Sequence, residues 1–265
     1  MKFLNLLLVF CFLTVASCQT EPKEQASATI ESNTKDVITQ TDKKDKVLTI
    51  SPISHATMVL SFGSDDIYVD PTGGSEAFKA FTAPEIVLIT DIHGDHFDVE
   101  TLQALDLSAA TIIAPKAVMD KFPTDLKFEK SITLDNGDTT MLNDYKIEAI
   151  PMYNLRKEAL KFHTKGRGNG YVLTVNDERI YISGDTEDIP EMRNLKNIDR
   201  AFVCMNLPYT MTVDKAAEAV LEFKPKMIYP YHYRGQDGMS DIEKFKTLIN
   251  QGNETIEVVQ LEWYN

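Results

Sequence analysis

The apolar run PEIVLIT, residues 84–90, breaks directly into Asp91-Ile92-His93-Gly94-Asp95-His96-Phe97-Asp98, and no other stretch of the chain restricts its fold as much. A strand sets residues i and i+2 on one side, so the spacing predicts that Asp91 and His93 point together as the strand ends. Gly94 then permits a sharp turn, and Asp95 and His96 follow at the start of a helical stretch. Four potential metal ligands converge on one small volume, in a chain that has 5 histidines. A chance DxHxDH at a strand end is improbable in such a sequence.

From residue 47 onward the chain reads as short Val-, Ile-, Tyr- and Phe-rich runs bounded by Gly, Pro, Asn or Asp, which is the signature of strands. The runs are VLTISPI, ATMVLSF, DIYVD, PEIVLIT, TIIAP, YKIEAIPMY, GYVLTV, RIYISG, RAFVCM, KMIYPY and TIEVVQLEW. Helices are expected at about 98–107, 115–121, 212–223 and 240–250, the last opened by a capping box of Ser240 and Glu243. Strands alternating with helices predict an α/β fold of sheets covered by helices. Residues 55–70 (HATMVLSFGSDDIYVD) and 169–185 (NGYVLTVNDERIYISGD) echo one another as strand, polar turn, strand and then an Asp. Two half-domains of similar build are expected.

The first residues read as an address. Met1-Lys2 precedes an apolar run from Phe3 to Val15, and the small residues Ala16-Ser17 come before Cys18, the layout of a secretory signal. Residues 19–46 are polar and charged, with no apolar period to order them. Residues 1–17 are therefore expected to be a signal peptide, 18–46 a flexible tether, and 47–265 the folded domain. Cys204 is the one cysteine inside that domain, so no disulfide is expected within it. With 27 Lys and Arg against 40 Asp and Glu, the net charge of -13 gives no attraction for phosphate backbones, and nucleic acid is not an expected partner. No apolar stretch beyond the N-terminus is long enough to suggest a polytopic membrane protein.

The DxHxDH junction, Ile182-Ser183-Gly184-Asp185-Thr186, and Tyr229-Pro230-Tyr231-His232 together resemble the metallo-β-lactamase fold superfamily. In that superfamily an HxHxDH loop, an Asp after a second-half strand and a late His hold the metals, in this order. The resemblance covers residues 47–265 and implies a four-layer αββα sandwich of two similar half-domains. His55-Ala56-Thr57, Val69-Asp70-Pro71 and Gly184-Asp185-Thr186 are similar to the branch with ascorbate-6-phosphate lactonases and N-acyl-phosphatidylethanolamine phospholipase D enzymes. The N-terminus resembles a bacterial lipoprotein signal. This implies a lipidated Cys18, membrane attachment through that lipid, and residence in the cell envelope on the periplasmic side or the surface.

Carried onto this chain, the superfamily pattern implies one metal site of Asp91, His93 and Asp185 and another of Asp95, His96, Asp185 and His232, with Asp185 shared. It implies one or two divalent cations, zinc first, with a water-derived nucleophile near neutral pH. Asp95 and His163 are the candidate catalytic side chains. Two positions depart from the pattern. Asp91 stands where the superfamily has its first His, and Asn154 where a third-motif His follows the strand YKIEAIPMY. Asp91 is either a ligand or a brace for His93. His163 either replaces the missing imidazole or serves as an acid beside the metals, with an exposed loop His as the plain alternative. A carboxylate in place of imidazole admits manganese or iron as rivals to zinc. Asp91, Asp95 and Asp185 bring three negative charges, so a one-metal site would repel anions unless Lys165 and Arg167 cover it.

The remaining candidates have ordinary readings beside functional ones. His55 lines the site or is a buried His with a backbone partner. Asp70 orders the metal loops or makes a turn before Pro71. Lys165 and Arg167 bind an anion or form a solvated turn. Thr210, Met211 and Thr212 are read as capping and Cys204 as core. The leading expectation is a lipid-anchored, metal-dependent hydrolase of an ester, lactone, phosphodiester or amide small-molecule substrate. A non-catalytic metal- or ligand-binding lipoprotein on the same scaffold is the alternative, and β-lactamase activity ranks below both.

Overall fold

The computed structural model describes residues 47–264, so the expected signal segment, Cys18 and the tether lie outside the described residues. Among those described, no helix is long and apolar enough to cross a membrane.

The first half opens with an antiparallel meander of β1 (Leu48–Ser54), β2 (Thr57–Phe62) and β3 (Asp65–Val69). β4 (Ile86–Leu88), β5 (Thr111–Ala114) and β6 (Lys130–Thr133) extend it in parallel. α1 (Val99–Ala104) and α2 (Lys116–Met119) fall in the crossovers. The second half repeats the plan. β7 (Thr139–Leu142), β8 (Tyr145–Met152), β9 (Gly168–Val175) and β10 (Glu178–Ile182) are antiparallel. β11 (Arg200–Cys204) and β12 (Met227–Tyr231) then run parallel to β10. After a hairpin of β13 (Arg234–Gly235) and β14 (Gly238–Met239), β15 (Glu257–Val258) closes the edge beside β12. α3 (Pro190–Arg193), α4 (Val213–Phe223) and α5 (Ile242–Gly252) lie between these strands.

The echo read in the sequence corresponds to two like hairpins, β2–β3 and β9–β10. In each, the second strand pairs in parallel with the next strand of its sheet. The Asn176-Asp177 turn between β9 and β10 puts both residues at positive φ, 50 and 63, as a two-residue hairpin of matching twist requires.

Alternation along the strands creates the layers. Met58, Leu60 and Phe62 of β2 join Ile147, Leu173, Ile180 and Phe202 of the second sheet in one core. Val59, Tyr68 and Val87, one position out of phase, join Leu102 and Val118 of α1 and α2 in another. Ala216, Val220 and Phe223 of α4 and Phe245 and Ile249 of α5 recur at helical spacing and are buried. Each such large apolar side chain contributes about 1.5–3 kcal/mol by leaving water. The result is the expected helix–sheet–sheet–helix sandwich.

Several elements depart from expectation. β6 (KSIT) and β7 (TTML) were not expected, because they are short, polar and mostly exposed. The expected strand over 255–263 pairs only at Glu257–Val258, since the chain then leaves the sheet to bury Trp263. α5 is capped by Asp241, which accepts from the Lys244 N–H at 2.8 Å, and not by Ser240, whose hydroxyl bonds the Met205 carbonyl. Thr212 caps α4 as expected, whereas Thr210 bonds Asn206 and Met211 is core.

Candidate metal centre

In parallel sheets side chains gather where strands end at their carboxyl edge, and that edge holds nearly every candidate residue. Asp70 follows β3, Asp91 to His96 follow β4, Asp185 follows β10 and His232 follows β12. His163 enters from the loop between β8 and β9. Pairing in β4 stops at Leu88, so Asp91 and His93 meet from a loop and not from strand alternation. That loop is closed by the His96 and Phe97 N–H groups, which donate to the His93 carbonyl at 3.0 and 2.8 Å. The turn needs no glycine at 94, since a Cβ there would touch nothing. The strain sits elsewhere: His55, Asp70 and His232 take φ of 51, 45 and 45. Non-glycine residues hold such angles where the surroundings over-determine them, most often at functional sites.

Two ligand groups lie side by side. Asp95, His96 and His232 bring their ligand atoms within 4.8 Å of one another, as do Asp91, His93 and His163. Asp185 stands between them. Its Oδ2 is 3.5 Å from His96 Nε2 and 3.2 Å from His163 Nε2, and its Oδ1 is 3.3 Å from His232 Nε2. The Nε2 atoms of His96 and His232 face each other at 3.2 Å.

The imidazoles are aimed by their other nitrogens. His96 Nδ1 lies 2.7 Å from the buried Asp70 carboxylate, which also accepts from the Thr90 N–H and hydroxyl. His163 Nδ1 lies 3.2 Å from the Tyr209 carbonyl and so donates to it. Both rings therefore present Nε2 inward, the orientation that a carboxylate or carbonyl behind a metal-binding histidine imposes.

These donors fit a metal centre. Nε2 of His163 and Oδ1 of Asp185 are buried without a hydrogen-bond partner, a costly arrangement unless a cation satisfies them. Burial disfavours charge on His96, yet the Asp185 and Asp70 carboxylates outweigh it and hold the imidazole well above its ordinary value. Burial likewise pushes Asp185 up, and His232, His96 and His163 more than reverse it, leaving the carboxyl well below the usual range. A cation binding there competes with protonation of His96.

The two departures acquire local explanations. Asn154 is buried and donates from Nδ2 to the Ala159 and Tyr209 carbonyls at 2.9 and 2.7 Å, while its N–H bonds the His163 carbonyl at 3.0 Å. It is the brace of the loop that brings the His163 imidazole beside Asp91 and His93. Asp91 is buried, 2.7 Å from His93 Nδ1, and gripped at both oxygens by Arg167, at 3.1 Å through Nε and 2.9 Å through Nη2. Burial raises this carboxyl, but the His93 hydrogen bond and the neighbouring cations hold it below its ordinary value. Neither basic residue of the loop is open to an anion, because Lys165 pairs with Glu191 at 2.7 Å. Gly168 lets this loop close on the centre, since a Cβ would lie 2.9 Å from the Thr90 carbonyl.

A cavity of about 350 Å³ opens over these groups, lined by His93, Asp95, His163, Asp185 and His232 together with His55, Phe162, Asn206, Tyr209, Arg234 and Gly235. His55 contacts His232 edge-on at 5.1 Å, and burial, followed by the charge of His232, pushes its imidazole down to about 4. Cys204 is buried core, with its thiol pushed up to about 12 by burial. Arg234, Asn206, Tyr209 and Tyr264 were not expected at the site. The nearness of Arg234 to His232 in the chain was the only signal available for any of them.

A Beta-lactamase superfamily domain model matches residues 68–233. A metal-dependent hydrolase of Pyrococcus horikoshii is 27% identical over 214 residues, 77% of this chain and 93% of its own length. The crystal structure of a chain from Parabacteroides distasonis, described as a metal-dependent hydrolase, is 42% identical with a TM-score of 0.72, over 82% of this chain and 94% of that one. A metallo hydrolase of Ignicoccus hospitalis, 18% identical, shares the fold with a TM-score of 0.67 over 82% of this chain and 96% of its own.

Proposed function

The chain belongs to the β-lactamase superfamily and is a metal-dependent hydrolase, and from that premise we propose that it cleaves an ester, lactone, phosphodiester or amide at a centre for two divalent cations, zinc before manganese or iron. One observation carries the reading: two adjoining ligand groups flank Asp185, and Oδ1 of Asp185 and the inward Nε2 of His163 are buried with no hydrogen-bond partner. Asp91, His93 and His163 would hold one cation and Asp95, His96 and His232 the other, with Asp185 common to both. When bound, the cations supply Lewis-acid polarisation of the scissile carbonyl or phosphoryl group and make water acidic enough to act near neutral pH.

The chain's own side chains do the rest. Asp70 and Thr90 fix the His96 ring, and the Tyr209 carbonyl fixes His163, so neither must reorganise when substrate arrives. His163 is therefore assigned to the cation rather than to proton transfer. Asp95 is 43% exposed and faces the cavity, so the carboxylate oxygen it does not give to the cation is placed to accept and return a proton.

The test is metal analysis of protein purified without added metal, together with turnover of 4-nitrophenyl esters and bis(4-nitrophenyl) phosphate. About two cations per chain, and turnover that disappears on chelation and returns on reloading, are expected. Turnover that survives complete chelation contradicts the reading. We further propose that the domain is a lipoprotein of the bacterial envelope, on the strength of the residues preceding Cys18. Cys18→Ser should move the protein from the detergent phase to the aqueous phase, and retention in detergent would exclude the anchor.

A further inference from the structure

We propose that the mouth of the cavity holds an oxyanion-binding subsite, in which Arg234, seated on the ring of Tyr264, grips a carboxylate or phosphate group of the substrate apart from the bond that is cleaved. The proposal rests on the hydrolase reading only in taking this cavity as the place where substrate lies.

Arginine pairing across the chain is the first observation. Arg156, Arg167, Arg179, Arg193 and Arg200 each form a salt bridge, with Glu187, Asp91, Glu148, Asp188 and Glu178 respectively. Arg234 is the sixth arginine, and among the described residues no carboxylate lies in salt-bridge range of it. In a chain of net charge -13 a guanidinium without a carboxylate partner is useful where an anion must be drawn in against the overall field. It lines the same cavity as Asp95 and His232.

Arg234 is also preorganised. Its guanidinium carbon lies 4.2 Å from the Tyr264 ring centroid. That stacking occupies the flat face of the group and leaves its N–H edge free for a planar, two-pronged acceptor. The ring is pinned in turn: the Tyr264 hydroxyl accepts from the backbone N–H of Arg234 at 3.1 Å and lies 3.2 Å from His55 Nδ1, and Tyr233 meets the ring edge-on at 4.9 Å. Gly235 fixes the backbone, because a Cβ there would lie 1.9 Å from the Leu207 carbonyl oxygen. Across the cavity Phe162 and Tyr209 form an edge-to-face pair at 5.1 Å, an apolar wall for the body of the molecule whose charged end Arg234 holds.

The test uses the metal-loaded protein and two non-hydrolysable probes, phenylphosphonate and phenylacetate, titrated by calorimetry. Arg234→Leu should weaken binding about tenfold or more, since a hydrogen bond to a charged group is lost, and Arg234→Lys should recover part of it. Weakening of one probe alone supports the subsite and tells phosphate from carboxylate. Tyr264→Leu should weaken the same probe while Tyr264→Phe, which keeps the ring, should not; melting curves confirm folding. In parallel, the kcat/KM ratio for 4-nitrophenyl hemisuccinate over 4-nitrophenyl acetate should fall in Arg234→Leu and fall further in Arg234→Glu. Unchanged affinity of both probes in Arg234→Leu overturns the proposal and leaves the hydrolase reading standing. Arg234-dependent probe binding without turnover of any ester by the native protein does the reverse.

Discussion

Asp185→Ala is expected to yield a folded protein without stoichiometric metal and with turnover lowered on the order of 10³-fold or more, the size of loss seen when a member of a catalytic unit is removed. Asp185 alone among the described residues lies within 3.5 Å of His96, His163 and His232 at once, so its loss should remove a ligand from both groups together. It follows Gly184, at φ 60, in a loop beyond β10, and no strand pairing depends on its side chain. Elemental analysis and far-ultraviolet circular dichroism should be read on the same sample. Full metal content with normal ellipticity would show that the two ligand groups do not share Asp185. Asp185→Asn separates charge from shape: it keeps the volume and one oxygen, and it should bind metal more weakly than the native protein but better than Asp185→Ala. The acid side gives an independent check. A carboxyl held below its unfolded value contributes stability that is present above the unfolded value and lost as pH falls through the folded one. Metal-free Asp185→Ala should therefore lose less stability than metal-free native protein as pH falls below about 4.

What the sequence made legible follows from where its signals were local. Asp91 to His96, Asp185 and His232 each follow an apolar run that ends abruptly, and a buried strand ending in titratable groups is readable without a partner. The like hairpins were readable because both carry the same alternation and the same closing Asp. The contributions that escaped are long-range or lack a marked residue. Arg167 and Asp91 are 76 positions apart, and Tyr264 and His55 209. No periodicity connects such positions. Tyr264 was hidden further because TIEVVQLEW has strand composition, yet after Val258 the tertiary demand of burying Trp263 overrides it. Positive φ at His55, Asp70 and His232 could not be foreseen either, since glycine marks none of these turns.

Asp91 and Arg167 should behave as one unit, and the departure at position 91 is tested by changing both. A carboxylate and the guanidinium that holds it through two hydrogen bonds carry no net charge as a pair, and the neutral imidazole suggested by the superfamily resemblance would carry none either. The three-carboxylate count made from sequence therefore overstates the negative charge at the centre by the amount that Arg167 cancels, while Lys165 is engaged elsewhere. Asp91→His alone would set an imidazole against a guanidinium that has lost its partner and is only 20% exposed. It is expected to destabilise the protein by about 3 kcal/mol, the low end for breaking a buried pair, and to empty the first ligand group rather than tune it toward zinc. Asp91→His with Arg167→Met should recover most of that stability and bind zinc in preference to manganese. Asp91→Ala with Arg167→Met then decides what Asp91 does, free of the stranded charge. A ligand's removal should leave about one metal per chain at saturation, while loss of a brace for His93 should cost roughly 10–100-fold in affinity at unchanged stoichiometry. Denaturant melts of the native protein, both single variants and the Asp91→His double variant give the coupling energy directly. If Asp91→His alone proves as stable and as metal-replete as the native protein, Arg167 does not complete position 91, and the neutral-pair account of this centre fails.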